Sequence, residues 1–152
     1  MALIEWTPEL EIGIQVIDGQ HRRIVDYIND LDEAEKTDNR DVIARVFEDL
    51  IDYTYSHFEF EEALMEEAGY DALTIHQSTH KAFRSKVDQL KTRFSQGEQV
   101  ARDLVDLLKT WLLEHIMHDD QSYSSLVKEK MPRIQKQQSG NWISSAIKRF
   151  FN

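Results

Sequence analysis

The chain has 152 residues, of which 30% are charged and 41% hydrophobic; it carries a net charge of −10 and has no cysteine. The acidic balance argues against nucleic acid as a partner, and the missing thiols exclude disulfides, zinc–thiolate sites and iron–sulfur clusters. No stretch is apolar and long enough to span a membrane, and the N-terminus does not read as a signal peptide, so we expect a cytoplasmic protein. Few glycines and prolines interrupt the chain, which predicts an all-α fold.

The predicted elements begin with an ordered, non-helical arm over residues 1–16, in which Trp6 packs on the body. The first helix is predicted from Asp18, a suitable N-cap, to Glu35. Three polar breaks separate this helix from three others, and they cover residues 37–41, 66–71 and 95–99. Four amphipathic helices of similar length with short connections predict an up-down-up-down four-helix bundle.

Histidines occupy the apolar face of every predicted helix, where residues recur at spacings of three and four. The five are His21, His57, His76, His80 and His115. A single buried histidine is usually a hydrogen-bonded core residue. Five imidazoles buried together with the carboxylate of Glu61 would leave many polar atoms unsatisfied unless a metal bound them. The pattern therefore predicts a metal site between the four helices.

The spacing within the segment HFEFEEALMEEAGYDALTIHQSTH, residues 57–80, supports this prediction. His57 and Glu61 are four residues apart, as are His76 and His80, so each pair shares one face of a helix. Gly69 can end one helix before the next begins. Imidazole with carboxylate suits iron, zinc, copper or nickel, but so many ligands exceed the need of one tetrahedral zinc ion. Two octahedral iron ions would use them.

Seven residues together carry a resemblance to the hemerythrin family. They are His21, the pair His57 and Glu61, the pair His76 and His80, and His115 followed by Asp120. The opening IEWTPELEIGIQVIDGQH and the segment SHFEFEE resemble the bacterial members, the bacteriohemerythrins. The resemblance covers about residues 4–128.

The resemblance implies reversible dioxygen binding at a non-haem di-iron centre, for oxygen storage, delivery or sensing, by a protein that is not an enzyme. We separately expect a monomer. By position, His76, His80 and His115 would hold one iron ion, and His21 and His57 the other. Glu61, Asp120 and an oxo or hydroxo group would bridge the two ions. The implied oxygen pocket consists of Phe58, Trp111, Leu112 and Ile116. A di-iron enzyme reducing nitric oxide or peroxide, and an iron-storage or iron-donor protein, remain open alternatives.

The position of Asp120 conflicts with an ideal helix. It lies five residues after His115, whereas Asp119 at four residues fits the same face better and His118 at three is also within reach. The family pattern selects Asp120, and either a bridging ligand that reaches across the site or a local π-type turn would reconcile the spacing. We take Asp120 as the ligand, Asp119 as its substitute, and His118 as a residue at the surface or behind the ligands.

The end of the chain has a different character. Pro132 is predicted to close the bundle, which divides the chain into a bundle with its arm, 1–131, and a basic amphipathic tail, 132–152. Residues 135–140 read as a flexible connector. Residues 141–151 are predicted to form an amphipathic helix that docks on the acidic body, with a protein partner or a membrane surface as the alternatives.

Overall fold

The computed structural model describes the backbone of residues 3–137 and the side chains of residues 3–133, and every regular element in that range is helical. The helices are α1 Gln15–Lys36, α2 Arg40–Ala68, α3 Leu73–Ser95, α4 Ala101–Glu114 and α5 Gln121–Gln137, with a 3₁₀ turn over Pro8–Leu10. A π-helical segment, His115–Asp120, joins α4 to α5 without a break. The joined α4 and α5 act as the fourth helix, and the predicted four-helix bundle is confirmed.

The ends of α2 follow from local chemistry. Asn39 caps its start, because the side-chain oxygen accepts the backbone N–H groups of Asp41 at 3.0 Å and Val42 at 3.3 Å. Gly69 ends the helix in a left-handed conformation with φ of 76°, which glycine adopts without steric cost. The predicted role of Gly69 is therefore confirmed, and the sharp turn returns the chain antiparallel into α3.

The start of α1 differs from the prediction. The helix begins at Gln15, three residues before the predicted N-cap Asp18. The Asp18 carboxylate instead accepts the backbone N–H groups of Ile12 at 2.8 Å and Gly13 at 3.1 Å. The Asp18 carboxylate, inside the first turn of α1, thus accepts hydrogen bonds from backbone N–H groups of the preceding arm. The helix begins before Asp18, and its N-cap residue, Ile14, provides no side-chain hydrogen bond.

Residues 3–14, the described part of the predicted arm that precedes α1, are non-helical apart from the short turn, as predicted. Ile4 and the side chain of Asn29 exchange two hydrogen bonds, of 3.0 and 2.9 Å. Trp6 packs against the core, and the guanidinium of Arg22 lies 5.4 Å from its ring centroid. These contacts fasten the arm along α1.

The core has an apolar layer on each side of a polar cluster. The first layer contains Ile24, Ile28, Leu31, Phe47, Leu50, Phe83, Val87, Leu104 and Leu108, all buried. Further along the same faces come the predicted histidines, and beyond them lie Ile17, Leu64, Tyr123 and Val127, each at most 1% exposed. Burying one large apolar side chain contributes about 1.5–3 kcal/mol, so these two layers stabilise the bundle on either side of the polar cluster.

The prediction that Pro132 closes the bundle is wrong, because α5 continues through it to Gln137. Proline removes one hydrogen bond to the carbonyl four residues earlier. That carbonyl belongs to Lys128, an exposed residue, so water can replace the lost donor. The connector predicted over 135–140 begins inside α5, and the predicted helix over 141–151 lies outside the described residues. Among the described helices, none combines the length and apolarity needed to cross a membrane.

Candidate metal centre

The middle of the bundle contains a cluster of five imidazoles and two carboxylates. Its members are His21, His57, Glu61, His76, His80, His115 and Asp120, and each is at most 4% exposed. All four helices of the bundle contribute, since the apolar stripes that build the core continue into these positions. His118 is exposed and lies outside the cluster, as the sequence predicted.

The ligand atoms divide into two groups that share one carboxylate. In each group, the candidate atoms lie within 4.8 Å of one another. The three-histidine group contains His76, His80 and His115, and the two-histidine group contains His21 and His57. Glu61 belongs to both groups. The division matches the two ligand sets that the family resemblance implied.

Glu61 presents one oxygen to each group. Its Oε1 lies 2.9 Å from Nε2 of His76 and 3.0 Å from Nε2 of His80. Its Oε2 lies 3.5 Å from Nε2 of His57 and 3.8 Å from Nε2 of His21. A carboxylate with its two oxygens turned toward two separate ligand groups has the geometry of a bridge.

Asp120 repeats this arrangement from the opposite side of the cluster. Its Oδ1 lies 3.0 Å from Nε2 of His115 and 3.2 Å from Nε2 of His76. Its Oδ2 lies 3.0 Å from Nε2 of His21. The two carboxylates therefore span the same pair of groups, and a metal ion in each group would touch both.

The π-helical segment explains how Asp120 reaches the cluster. In a π-helix the backbone repeats at i and i+5, so Asp120 shares a face with His115 although five residues separate them. Of the two explanations offered for this spacing, the π-type turn is the one that the structure contains. Asp119, the substitute ligand, lies on the outer side, where its Oδ2 is 2.9 Å from Nδ1 of His115.

The inner atoms fit a bound cation better than they fit one another. Nε2 of His21, Nε2 of His57 and both oxygens of Asp120 are buried without a hydrogen-bond partner among the described residues. Two of these atoms, Nε2 of His21 and Oδ2 of Asp120, are 3.0 Å apart but are not aligned for a hydrogen bond. Neighbouring ligands of an octahedral ion with bonds of about 2.1 Å lie about 3 Å apart. These residues thus fit metal ions.

Burial and charge act in opposite directions on the titration of the cluster. Burial favours neutral His76, but the nearby carboxylates of Asp120 and Glu61 outweigh it and raise the pKa of His76 to about 9. The same opposition, with the charge of Asp120 as the main counterweight, raises the pKa of His115 to about 11. Burial lowers the pKa of His57 to about 3. Without a metal, protons on His76 and His115 balance the carboxylates.

Several partners of the cluster could not be identified from the sequence. Gln20 Oε1 lies 2.6 Å from Nδ1 of His57, and Glu62 Oε2 lies 3.0 Å from Nδ1 of His80. The buried hydroxyl of Tyr123 donates a hydrogen bond of 2.8 Å to Oε2 of Glu61. Tyr123 was recognisable only by its place on the apolar face, three residues after Asp120.

Two of the four predicted oxygen-pocket residues, Phe58 and Trp111, lie against the cluster. Phe58 stacks on the ring of His80 with centroids 4.0 Å apart, and Trp111 stacks on His115 at 4.3 Å. The remaining pocket residues, Leu112 and Ile116, are at most 1% exposed, whereas Trp111 is half-buried. Phe58 and Trp111 thus contact the three-histidine group, and Phe58 also lies 5.9 Å from the ring of His57.

Comparison with known proteins gives consistent matches. Residues 12–127 match the family model of the hemerythrin HHE cation binding domain. The chain is 45% identical over 152 residues to a bacteriohemerythrin of Pseudomonas aeruginosa (strain LESB58), covering 99% of each chain. It is 34% identical over 125 residues to a bacteriohemerythrin of Methylococcus capsulatus, covering 81% of this chain and 95% of the relative. A solved structure of wild-type hemerythrin matches with a TM-score of 0.80 at 31% identity, covering 83% of this chain and 98% of that one.

Proposed function

The chain belongs to the hemerythrin family, and from this premise we propose that it binds dioxygen reversibly at a pair of non-haem iron ions. It is a binding protein for oxygen storage, delivery or sensing. The observation that carries the proposal is the orientation of Glu61 and Asp120, each with one oxygen toward either histidine group. A single metal ion would leave one half of this arrangement without a function.

The residues in each group have separate roles in this proposal. His76, His80 and His115 would hold one iron ion, while His21 and His57 would hold the other. Glu61 and Asp120 would be shared between the two ions together with a solvent-derived oxo or hydroxo group, and the ion with fewer histidines would be the one that takes oxygen. When bound, the iron pair supplies the two electrons that reversible oxygen binding requires. Imidazole-rich ligation with two carboxylates suits iron in both oxidation states.

The protein contributes protection as well as ligands. Phe58, Leu112 and Ile116 are at most 1% exposed and carry no proton donor, and Phe58 stacks on the ring of His80. An apolar enclosure excludes water and stray protons that would make oxygen binding irreversible. The buried hydroxyl of Tyr123 is a proton donor beside the site, and it donates its hydrogen bond to Glu61.

The test of the function is the visible spectrum of the purified protein during cycles of oxygen removal and return, together with iron analysis. We expect about two iron ions per chain, as the two ligand groups require, and an oxygen-dependent absorption band that disappears and returns. One zinc or one iron ion per chain, or an irreversible spectral change, would refute the proposal.

A pair of histidine variants tests the ligand assignment. His115 is buried within the cluster, whereas His118 is exposed three residues later. His115→Ala should lose iron and stability, because it removes a ligand and leaves a cavity. His118→Ala should keep its iron. Equal behaviour of the two variants would show that the inward face of this helix is assigned incorrectly.

The enzymatic alternative, reduction of nitric oxide or peroxide, and the iron-storage alternative receive no specific support from the described residues. A monomeric state, a cytoplasmic location and a docking role for residues 141–151 remain proposals based on the sequence. Size-exclusion chromatography of the iron-loaded protein tests the first of these directly. Elution as a dimer would overturn it.

A further inference from the structure

The outer ring nitrogens of the clustered histidines have partners of unequal charge. Nδ1 of His80 lies 3.0 Å from the carboxylate of Glu62, and Nδ1 of His115 lies 2.9 Å from the carboxylate of Asp119. A carboxylate only accepts hydrogen bonds, so each of these rings donates from Nδ1 and directs the lone pair of Nε2 inward. Two histidines of the three-histidine group therefore have an anionic partner behind them.

The two-histidine group has no such partner among the described residues. Nδ1 of His57 lies 2.6 Å from the amide oxygen of Gln20, which is neutral and 1% exposed. Nδ1 of His21 is buried without a hydrogen-bond partner in the described part of the chain. Both groups share the carboxylates of Glu61 and Asp120, and their other inner ligands are imidazoles. The largest difference in charge between the two groups therefore comes from the residues behind the histidines.

We propose that Glu62 and Asp119 are positioning residues that make the metal ion of the three-histidine group the easier of the two to oxidise. The inference rests on the proposed function, because it assumes an iron ion in each group. An anionic acceptor behind an imidazole makes that imidazole a more basic ligand. A more basic ligand stabilises the higher charge on its ion, so the first electron leaves the ion held by His76, His80 and His115.

The same arrangement suits an oxygen-binding protein. The ion with the neutral and unpartnered histidines stays ferrous more readily, and it is the one with fewer histidine ligands. The outer carboxylates thus give the two ions different tasks although both share Glu61 and Asp120. The charge difference comes from residues 62 and 119, which reach the surface with side chains 22% and 42% exposed, so they can be changed without disturbing the core.

The test uses anaerobic redox titration of the diferrous protein with ferricyanide, which removes one electron at a time and transfers no atom. Glu62→Gln and Asp119→Asn each keep an acceptor oxygen and remove the charge. Glu59→Gln is the matched control, since Glu59 is an exposed residue on the same helix as Glu62 and its replacement makes the same change in net charge. Iron content is measured for every variant, and losses in iron affinity of about 10–100-fold are tolerable if the protein is kept saturated.

We expect Glu62→Gln and Asp119→Asn to raise the potential of the first one-electron step more than that of the second, with a larger effect in the double variant. Glu59→Gln should leave both steps unchanged. The proposal is overturned if the first step does not move, if the second moves as much, or if Glu59→Gln has the same effect. Because no oxygen is present, a protein that holds two iron ions but fails to bind oxygen reversibly would refute the proposed function and still decide this inference.

A second measurement does not depend on iron. In protein loaded with zinc and labelled with ¹⁵N at histidine, the Nδ1 protons of His80 and His115 should resonate further downfield than that of His57, because a hydrogen bond to a charged acceptor is stronger. Glu62→Gln should shift only the His80 signal, and Asp119→Asn only that of His115. Three similar Nδ1 signals in the unmodified protein would overturn the proposal.

Discussion

The hydrogen bond from Tyr123 to Glu61 gives a quantitative test of how the buried cluster is stabilised. The hydroxyl of Tyr123 donates a hydrogen bond of 2.8 Å to Oε2 of Glu61, and both side chains are inaccessible to solvent. Burial, reinforced by the charge of Glu61, raises the pKa of Tyr123, so the phenol remains a donor at neutral pH. Tyr123→Phe removes this one bond and keeps the ring, which lies 5.6 Å from the ring of His76.

The expected loss follows from the charge and burial of the acceptor. A hydrogen bond to a charged group contributes about 1.5–3 kcal/mol, and its loss leaves a buried carboxylate oxygen short of a donor. Tyr55→Phe is the matched control, because Tyr55 donates a hydrogen bond of similar length, 2.9 Å, to the exposed carboxylate of Asp88. Water can replace that donor, so the control should lose less than about 1 kcal/mol.

The assay is urea unfolding of the metal-free protein at pH 7, followed by circular dichroism at equal protein concentrations. Tyr123→Phe should lower the unfolding free energy by about 1.5–3 kcal/mol with little change in the slope against urea. If Tyr123→Phe and Tyr55→Phe lose the same amount, the buried bond has no special value. The reasoning about the cluster would then be refuted.

Three further predictions follow from the site and its surroundings. Leu112→Asp should speed oxidation to the diferric state without removing iron, because a buried carboxylate admits water and protons beside the site; an unchanged autoxidation rate would place Leu112 outside the oxygen pocket. At pH 7.5, ferrous iron binding to metal-free protein should release at least two protons, since the pKa of His76 is raised to about 9 and that of His115 to about 11, and a water molecule that becomes a bridging hydroxide adds one more. Titration calorimetry in buffers of different ionisation enthalpy measures this release, and buffer-independent heats would contradict it. Removing residues 139–152 should leave the oxygen spectrum intact, because every clustered residue lies between 21 and 120; a lost spectrum would assign the tail to the site.

Most of the bundle could be predicted from the sequence because apolar residues recur along it with helical spacing. Apolar residues at spacings of three and four place Ile24, Leu50 and Phe83 on buried faces, and the clustered histidines continue the same stripes. The pattern could not predict what lies behind the histidines. Gln20 and Glu62 are polar residues next to ligands, and only the rotation of neighbouring helices decides whether such a side chain reaches an imidazole or solvent.

The incorrect boundaries have a related cause. Asp18 has the chemistry of an N-cap but satisfies the backbone of the arm, a partner that local sequence rules do not include. Pro132 lies inside a helix because the carbonyl it leaves without a donor is near the surface, which depends on tertiary position. In both cases the chemistry of the residue was interpreted correctly, but the position of the helix boundary depended on surroundings that the local sequence does not reveal.

The π-helical segment has a consequence for how this protein can change in length. The apolar stripe of α4 is in phase with His115, and the stripe of α5, with Tyr123 and Val127, is in phase with Asp120. The two stripes are one residue out of phase for a regular α-helix, and the extra residue of the π-helix brings both inward. Deleting one residue between His115 and Asp120 would place Asp120 four residues after His115, the spacing at which an ordinary α-helix keeps both on one face. Inserting one residue there would rotate all of α5 by about 100° and turn Tyr123 and Asp120 away from the core. This helix therefore tolerates the loss of one residue between His115 and Asp120 better than the gain of one, since an insertion displaces the candidate ligand Asp120 and the buried Tyr123 and Val127 together.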